Sequence, residues 1–341
     1  MRWSPYPVAI VLMLILAVSA LLSLIIGAMD LPAVASLQSV IDAIFGSQTS
    51  TLEAYQKVVV VELRLPRVVL AILVGAMLAQ CGAVMQGLFR NPLADPGVIG
   101  VSSGAAVGAI IAIVWFVGPY GLWTLPLSAF VGGLLTTLLV YALAQSSSGT
   151  SVLFLLLAGI AISAFAGSAI GFLSYFSDDQ KLRDLSLWQM GSLGSASSTS
   201  LWVCSITVVI LMWIFQRHAA ALNALLLGEA EARHLGIEVE RLKLRLIVLT
   251  AIGVGVSVAF TGVIGFVGLV VPHLVRLTTG PNHRSLLPLS ALCGAVLMVL
   301  ADLVARILVQ PAELPVGLVT ALLGAPFFLV LLMQQRKHWG A

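Results

Sequence analysis

Residues 8–26 read VAIVLMLILAVSALLSLII, an apolar run without a charged side chain. A helix needs about 20 apolar residues to cross the hydrocarbon core of a bilayer, so this run predicts a membrane-spanning helix. The run follows Arg2 and therefore has the general layout of a signal peptide. It is too long for the apolar part of such a peptide and lacks a clear cleavage site, which favours an uncleaved first span.

The rest of the chain has the same apolar character. Of its 341 residues, 60% are hydrophobic and only 9% are charged, whereas about a quarter of the residues in soluble domains are charged. This length leaves room for roughly ten spanning helices, which satisfy their own backbone hydrogen bonds in lipid. We therefore predict one all-α polytopic membrane domain over residues 1–341. The further spans are predicted at 64–89, 94–116, 121–145, 152–175, 198–216, 244–264, 266–279, 286–309 and 314–334.

One charged stretch interrupts this pattern. Residues 227–245, LGEAEARHLGIEVERLKLR, contain eight charged side chains. With ten spans and a cytoplasmic start, eleven Lys and Arg residues fall inside and six fall outside, in agreement with the positive-inside rule. This topology puts both termini and the charged stretch in the cytoplasm. It puts residues 31–63 and 176–197 on the outer side.

Glycines recur in the predicted spans, and GxxxG steps let helix backbones approach closely in lipid. Two such steps are Gly104/Gly108 and Gly167/Gly171, for which we predict core packing in preference to a channel lining. Two segments that would cross the membrane in opposite senses also share one spacing of glycine and proline. This is typical of an inverted repeat, although chance explains it equally in so glycine-rich a chain. The matching positions are Gly75, Gly82 and Pro92, and Gly255, Gly262 and Pro272.

The sequence lacks the usual elements of an enzyme site. It contains no Gly-Lys pair and hence no Walker A phosphate loop, so it does not hydrolyse ATP by that route. The three cysteines lie in apolar runs without CxxC spacing, which indicates reduced, buried side chains. The five histidines are far apart in the sequence, and no metal site is predicted.

Three arginines near the outer ends of predicted spans have two interpretations. Asp302 and Arg306 are four residues apart, and on a helix they would form a simple ion pair. Arg64 and Arg67 flank Pro66 at the start of the second span, where anchoring at the membrane interface is the simplest role. The three arginines together could instead form a basic rim for an acidic partner. The residues alone leave both interpretations open.

Several ordered motifs carry a family resemblance. They are RLPR at 64–67, QGLFRNPLADPGVIGVSSGA at 86–105, GFVGLVVPHLVR at 265–276, LPLSALCGAVLMVLADLVAR at 287–306 and ELPVGLVTALLGAPFFLVLL at 313–332. They resemble the FecCD-type permease family, the membrane subunits of bacterial ABC importers for iron complexes, haem and vitamin B12. The resemblance implies a type II ABC importer permease fold of about ten helices in the bacterial inner membrane. The implied partners are a second copy of the permease, two cytoplasmic ABC ATPase subunits and a periplasmic substrate-binding protein. ATP and Mg²⁺ would bind at the ATPase, with no cofactor on this chain.

The resemblance also assigns roles to residues at both ends of the spans. It makes Arg64, Arg67 and Arg306 the docking residues that receive acidic side chains of the binding protein. It makes residues 217–244 a cytoplasmic coupling loop, in which Gly228 and Gly236 would punctuate two short helices that contact the ATPase. The implied coupling residues are Glu229, Glu231, Arg233, His234, Leu235, Gly236, Glu238, Glu240 and Arg241. The candidate cytoplasmic gate is Ser147, Ser148, Thr150 and Ser151, although an ordinary exposed turn explains these residues equally.

Residues 178–197 bear on the substrate. Their sequence, DDQKLRDLSLWQMGSLGSAS, is most similar to haem permeases, which tend to read LRDxxxWxxGSLGGA, and departs from them at Ser195. Vitamin B12 permeases share a related pattern, so B12 and ferric siderophores stay open beside haem. Tyr175, Trp188 and Met190 are candidate substrate contacts, although core or interface packing is the simpler role. An ion-coupled secondary transporter is less favoured, because Asp302 is nearly its only candidate carboxylate.

Overall fold

The computed structural model describes residues 3–27, 29–116, 121, 123–146 and 149–339. Within these ranges the chain forms fourteen α-helices and one short β-hairpin. The helices are α1 (Pro5–Ile25), α2 (Ala33–Phe45), α3 (Ala54–Val58), α4 (Leu65–Leu88), α5 (Val101–Ile111), α6 (Thr124–Leu143), α7 (Val152–Tyr175), α8 (Asp179–Gln189), α9 (Ser198–Leu225), α10 (Glu229–His234), α11 (Val239–Thr261), α12 (Val267–Thr279), α13 (His283–Ile307) and α14 (Val316–Trp339). The hairpin pairs β1 (Gln145–Ser146) with β2 (Gly149–Thr150) in antiparallel orientation.

Each of the ten predicted spans falls on one helix. Seven helices in the described ranges are long and apolar enough to cross a membrane, namely α1, the continuous helix Ala54–Leu88, α6, α7, α9, α11 and α13. The continuous helix consists of α3, a π-helical segment and α4. The spans at α5, α12 and α14 are shorter apolar helices. The prediction of an all-α polytopic membrane protein is confirmed.

Helix α4 packs closely against two other spans because small residues lie at the crossings. A Cβ on Gly75 would overlap the carbonyl oxygen of Gly294 in α13. A Cβ on Gly82 would overlap the carbonyl oxygen of Gly268 in α12. In lipid, van der Waals packing between closely approaching backbones is a main source of helix association. These glycines therefore determine how closely α12 and α13 lie against α4.

The two GxxxG steps lie in different environments. Gly104 and Gly108 of α5 pack directly against the backbone of α6, which confirms core packing for this step. A Cβ on Gly167 or Gly171 of α7 would meet no other described atom within 4 Å. The core-packing prediction is therefore wrong for the second step. In the described part of the chain, no other element therefore packs against these two positions of α7.

The spacing that suggested an inverted repeat falls on elements of different shape. Helix α4 continues through Gly82, whereas α11 ends just before Gly262, which has a positive φ of 70°. Pro92 lies in the connection after α4, whereas Pro272 lies inside α12. The shared spacing does not mark equivalent elements, and the inverted repeat remains a prediction.

The connection between the sixth and seventh spans is shorter than the predicted loop of residues 217–244. Helix α9 continues to Leu225 and α11 begins at Val239, so both extend past the predicted span ends. A helix keeps its own backbone hydrogen bonds beyond the lipid, whereas hydropathy marks only its apolar part. The connection that remains, residues 226–238, contains α10.

Candidate functional site

The charged stretch folds into a short helix at one end of the bundle. Helix α10 has six residues, and a glycine in a conformation with positive φ lies on either side of it. Gly228 has a φ of 131° and Gly236 has a φ of 81°. Side chains with a Cβ rarely adopt such angles, so glycine is required for these sharp changes of direction. The two glycines delimit α10, but the described residues contain only one of the two predicted short helices. After Gly236 the chain passes directly into α11, so Glu240 and Arg241 lie in the first turn of that span.

Lys243 of α11 holds this short helix in place. Its side chain is 3% exposed, and its ammonium lies 2.8 Å from Glu229 of α10 and 3.2 Å from Glu240. The ammonium also donates a hydrogen bond of 3.0 Å to the carbonyl of Thr150 in β2. The carboxylate of Glu240 accepts the N–H of Thr150 at 2.8 Å. Arg233 adds longer ion pairs to Glu229 and Glu240, at 3.6 and 3.8 Å. These contacts join α10, α11 and the hairpin.

Most of the other predicted coupling residues face outward. The exposed members are Glu231, Arg233, His234, Leu235, Gly236, Glu238 and Arg241. Arg241 and Glu238 pair with each other at 2.6 Å in solvent. Leu235 is 66% exposed, and Leu227, which sequence reasoning did not select, is 68% exposed. Both leucines thus expose apolar side chains among the charged residues at this end of the bundle.

The predicted gate turn forms the hairpin beside α10. Ser147 and Ser148 lie outside the described residues. The buried hydroxyl of Thr150 donates to the hydroxyl of Tyr141 in α6 at 3.2 Å. Ser151 caps the N-terminus of α7, where its hydroxyl accepts the N–H of Phe154. The hairpin is thus anchored to the spans before and after it. An open cavity of about 750 Å³ separates it from the exposed side of α10 and α11.

The opposite end of the bundle carries the three predicted docking arginines, and all three are buried. Arg64 donates to the carbonyls of Leu24 and Ile25, at 3.0 and 2.6 Å. Arg306 donates to the carbonyl and the hydroxyl of Ser23. These acceptors belong to the last turn of α1, which contains no basic residue of its own. Arg64 and Arg306 therefore satisfy carbonyls at a helix end and complement the negative end of the helix dipole.

Arg67 belongs to an ion-pair network instead. It lies 2.8 Å from Asp302 and 2.6 Å from Glu313. Asp302 is 1% exposed and also lies 3.2 Å from Arg306, so the ion pair expected from their spacing is present. Glu313 lies in the connection before α14 and is 45% exposed, so the Arg67 pairing reaches the surface. Sequence reasoning did not select Glu313, because a single glutamate 246 positions from Arg67 gives no spacing signal. The docking role of the three arginines stays a prediction.

Helix α8 begins at an aspartate cap on the outer side of the predicted topology. The carboxylate of Asp178 accepts the N–H of Lys181 at 2.9 Å and lies 3.3 Å from the ammonium of the same residue. The hydrogen bond from the Lys181 N–H, with a smaller effect of its ammonium, holds the pKa of Asp178 below its usual range. The cap therefore explains why the helix starts at Asp179.

The three predicted substrate contacts do not share one site. A cavity of about 790 Å³ lies among α6, α8, α9 and α11, with Trp188 and Phe260 in its wall. Tyr175 is 84% exposed at the end of α7, and Met190 ends α8 with 38% exposure. In the described part of the chain, neither Tyr175 nor Met190 lines this cavity. Trp188 is thus the predicted contact that a bound molecule in the cavity would meet.

Comparison with known proteins adds sequence relatives. A profile of the FecCD transport family matches residues 15–334. The hemin transport system permease protein HmuU of Yersinia pestis is 51% identical over 279 residues, which cover 81% of this chain and 83% of that protein. The vitamin B12 import system permease protein BtuC of Vibrio cholerae serotype O1 is 44% identical over 292 residues, which cover 86% of this chain and 87% of that protein.

Two solved structures share the fold. An inward-facing conformation of a metal-chelate type ABC transporter matches with a TM-score of 0.82 and 36% identity, over 97% of this chain and 99% of that chain. PsaBC from Streptococcus pneumoniae, in complex with Fab, matches with a TM-score of 0.57 and 20% identity, over 77% of this chain and 88% of that chain, and bears on the fold alone. The family profile covers nearly the whole chain, and the two permeases are similar over more than four fifths of it. The chain therefore belongs to the FecCD transport family.

Proposed function

We propose that this chain is the permease subunit of a bacterial ABC importer that moves haem across the inner membrane. The observation that carries the choice of haem is the 51% identity to a hemin permease, against 44% to a vitamin B12 permease over a similar length. The sequence of residues 178–197, which includes α8 and part of the cavity wall, supports the same choice. Vitamin B12 and ferric siderophores are the alternative substrates.

The surroundings of Asp302 favour ATP-driven transport over ion coupling. Asp302 is the carboxylate on which an ion-coupled mechanism would depend. It is 1% exposed and paired with both Arg67 and Arg306. A carboxylate that takes up and releases protons or sodium ions has to face an aqueous pathway. The paired and buried position of Asp302 therefore supports a structural role.

In this proposal, two ATPase subunits bind at the α10 end and hold ATP and Mg²⁺ themselves. The chain has no Gly-Lys pair and so lacks the phosphate loop that would bind ATP. Around α10, the exposed side chains of Glu231, His234, Leu235 and Leu227 form a mixed charged and apolar surface that suits a cleft in a partner protein. This end, with both termini, then lies in the cytoplasm, consistent with the excess of Lys and Arg there.

A second copy of the chain is the proposed partner along α7 and α14. Only 17% of the apolar window of α7 is buried, and its Gly167/Gly171 step faces open space. Helix α14 exposes Leu322 and Leu323. Small residues let another helix approach closely, and apolar side chains fill the remaining contact. Such an interface would put the transport pathway between the two copies.

Docking of a periplasmic binding protein is proposed at the arginine end. Arg64 and Arg306 are engaged with the end of α1, whereas Arg67 pairs with the half-exposed Glu313. An acidic residue of the binding protein can replace Glu313 on Arg67 without leaving a buried charge unpaired. We therefore expect Arg67 to make the direct contact. Arg64 and Arg306 would contribute by holding the end of α1.

Transport in proteoliposomes tests the proposal. The chain is reconstituted with its ATPase, and the binding protein loaded with haem is added on the outer side. The expected result is haem uptake that requires both ATP and the binding protein. The matched control uses an ATPase whose Walker A lysine is substituted, and this control should abolish uptake.

Two outcomes would overturn parts of the proposal. Uptake of vitamin B12 or a ferric siderophore without uptake of haem would reject the substrate. Uptake of haem by this chain alone, under a proton gradient and without an ATPase, would reject the ABC class.

A further inference from the structure

We propose that Lys243 is a positioning residue that makes α10 and the hairpin move as one body. Movement of α10 by an ATPase would then be transmitted directly to the gate turn, in addition to any movement passed along α11. The inference rests on the proposed function, because it needs an ATPase at α10 and a gate at the hairpin. Lys243 is absent from the set of coupling residues implied by the family resemblance.

The three donors of the Lys243 ammonium go to three different elements. A lysine ammonium has three N–H donors and no acceptor. In this chain the partners are Glu229 in α10 at 2.8 Å, Glu240 in α11 at 3.2 Å, and the carbonyl of Thr150 in β2 at 3.0 Å. The single charge of the Lys243 ammonium therefore links α10, α11 and the hairpin.

The hairpin is held at a second point by the same pair of residues. The N–H of Thr150 donates to Glu240 at 2.8 Å, while its carbonyl accepts from Lys243. Both backbone polar groups of Thr150 are thus bound to side chains of α11. Strand β2 cannot shift along α11 without breaking both hydrogen bonds.

The neighbouring glycine makes this close approach feasible. Gly149 has a φ of 110°, and a Cβ at this position would lie 2.8 Å from the Glu240 carboxylate. Any larger residue would push Glu240 away and would also strain the backbone. A glycine in the gate turn is therefore needed for the contact with the coupling loop as well as for the turn itself.

Burial of the Lys243 side chain, which is 3% exposed, makes the link stiff, while its partners Glu229 and Glu240 are 29% and 39% exposed. Salt screens exposed charges strongly but screens buried pairs much less. An uncompensated buried charge is strongly unfavourable, so Lys243 resists the loss of either carboxylate. The exposed pair of Arg241 and Glu238, at 2.6 Å on the same helix, lacks this property because water replaces its partners readily.

The first test measures coupling in the complete complex of permease, ATPase and binding protein. Lys243→Met keeps a long apolar side chain and removes the charge. The matched control is Arg245→Met, two residues further along the same helix. Arg245 is exposed, and within the described residues its side chain forms a hydrogen bond only with His218. We expect Lys243→Met to lower the haem transported per ATP hydrolysed by about tenfold, within the usual range of coupling between sites. ATP hydrolysis should continue, and Arg245→Met should keep the wild-type ratio.

The second test measures the connection that Lys243 makes between α10 and the hairpin, called the joint below, and does not depend on transport. Spin labels at the exposed positions Ala230 in α10 and Gln145 in β1 report the distance between the two elements. When only one of the two copies carries the labels, we expect one narrow distance distribution in the wild type, unchanged between nucleotide-free and ATP-bound complexes. In Lys243→Met the distribution should broaden and shift when ATP binds. A residue that merely stabilised the fold would alter expression or stability without making this distance depend on nucleotide.

Other variants keep the inference testable if Lys243→Met does not fold. Gly149→Ala disturbs the hairpin side of the joint, and Glu229→Gln weakens the α10 side, while Lys243 stays in both. Each should lower the ratio of transport to hydrolysis. A wild-type ratio together with an unchanged label distance in Lys243→Met, or in these two variants, would overturn the inference. Absence of ATP-driven uptake in the wild-type complex would instead reject the proposed function, and the label distances would still decide whether the joint exists.

Discussion

Replacement of Asp302 by asparagine tests the ion-pair network at the arginine end. The carboxylate is 1% exposed and lies 2.8 Å from Arg67 and 3.2 Å from Arg306. Asp302→Asn keeps the size of the side chain and one acceptor oxygen, but removes the negative charge. Arg67 then retains Glu313, whereas Arg306 is left with neutral groups such as Ser23. The substitution therefore leaves a buried positive charge without a counter-charge.

The expected loss of stability in Asp302→Asn is the difference between two opposing effects. One pair of unit charges 4 Å apart contributes about 4 kcal/mol at an effective dielectric constant of about 20, and Asp302 has two such partners. The desolvation of the carboxylate, which costs several kcal/mol, offsets part of this attraction. Removal of one member of a buried ion pair costs about 3–5 kcal/mol net. We expect about 3 kcal/mol of destabilisation here, because Glu313 still pairs with Arg67 and the Asn oxygen still accepts a hydrogen bond. This is roughly a hundredfold change in the unfolding equilibrium.

The cysteines of the chain provide the assay. Cys81 and Cys204 are 0% exposed, so a thiol-reactive fluorophore labels them only when the bundle opens. Cys293 is less buried and is replaced by alanine in all variants. The measurement is the denaturation midpoint of labelling in detergent. Asp178→Asn is the matched control, because asparagine also caps a helix. Equal midpoints for Asp302→Asn and this control would show instead that the charge of Asp302 contributes nothing to stability.

Three further predictions concern other parts of the molecule. Gly75→Ala should destabilise the bundle by about 1–3 kcal/mol in the same labelling assay because its Cβ overlaps α13. An unchanged midpoint would contradict the packing of α4 on α13. Glu313→Gln should tighten docking of the binding protein by up to about fivefold, because the exposed ion pair that it removes contributes at most about 1 kcal/mol. The measurement is the dissociation constant from binding kinetics. Weaker docking would show that Glu313 orients Arg67 for its partner. The lowered pKa of Asp178 stabilises the folded state above the unfolded pKa of about 3.9, and this contribution is lost as the pH falls through the folded pKa. The rate of pepsin cleavage in α8 of the wild type, divided by the rate for Asp178→Asn at the same pH, should therefore rise as the pH falls below about 4.

The spanning helices were predictable, because every backbone N–H and C=O group in lipid needs a hydrogen-bond partner within the protein. An apolar run such as residues 8–26 has to close its own hydrogen bonds in hydrocarbon, and a helix does so within the run itself. The ends of helices were less predictable, because hydropathy reports which residues prefer lipid to water and not where the backbone hydrogen bonds of a helix stop. Helix α9 continues to Leu225, nine residues beyond the predicted end at 216. In water a helix whose residues have adequate helix propensity can continue beyond the lipid until a stop signal such as Gly228 ends it.

The candidate coupling site was predictable only where its signals are local. Gly228 and Gly236 delimit α10 because the backbone turns sharply at both positions, and glycine is the residue that permits such turns. Lys243 could not be recognised in the same way. In the sequence it is one more basic residue of the charged stretch, and Thr150, which it contacts, lies 93 positions away. A contact of this kind depends on how the spans pack, which composition and spacing do not report.

The arginines at the predicted outer end show why charge alone is an incomplete guide to a partner surface. Counting Arg64 and Arg306 as free cations predicts a basic rim, but a guanidinium can also be bound by the carbonyls at a helix end. Helix α1 ends at Ile25 without a basic residue in its last turn, so its carbonyls need donors from elsewhere in the chain. Gly27 allows this arrangement, because a Cβ there would lie 2.7 Å from the guanidinium of Arg64. A binding protein that paired directly with Arg64 would have to replace several carbonyls, whereas on Arg67 it has to replace one half-exposed carboxylate. The number of bonds to be exchanged therefore makes Arg67 the more favourable point of contact.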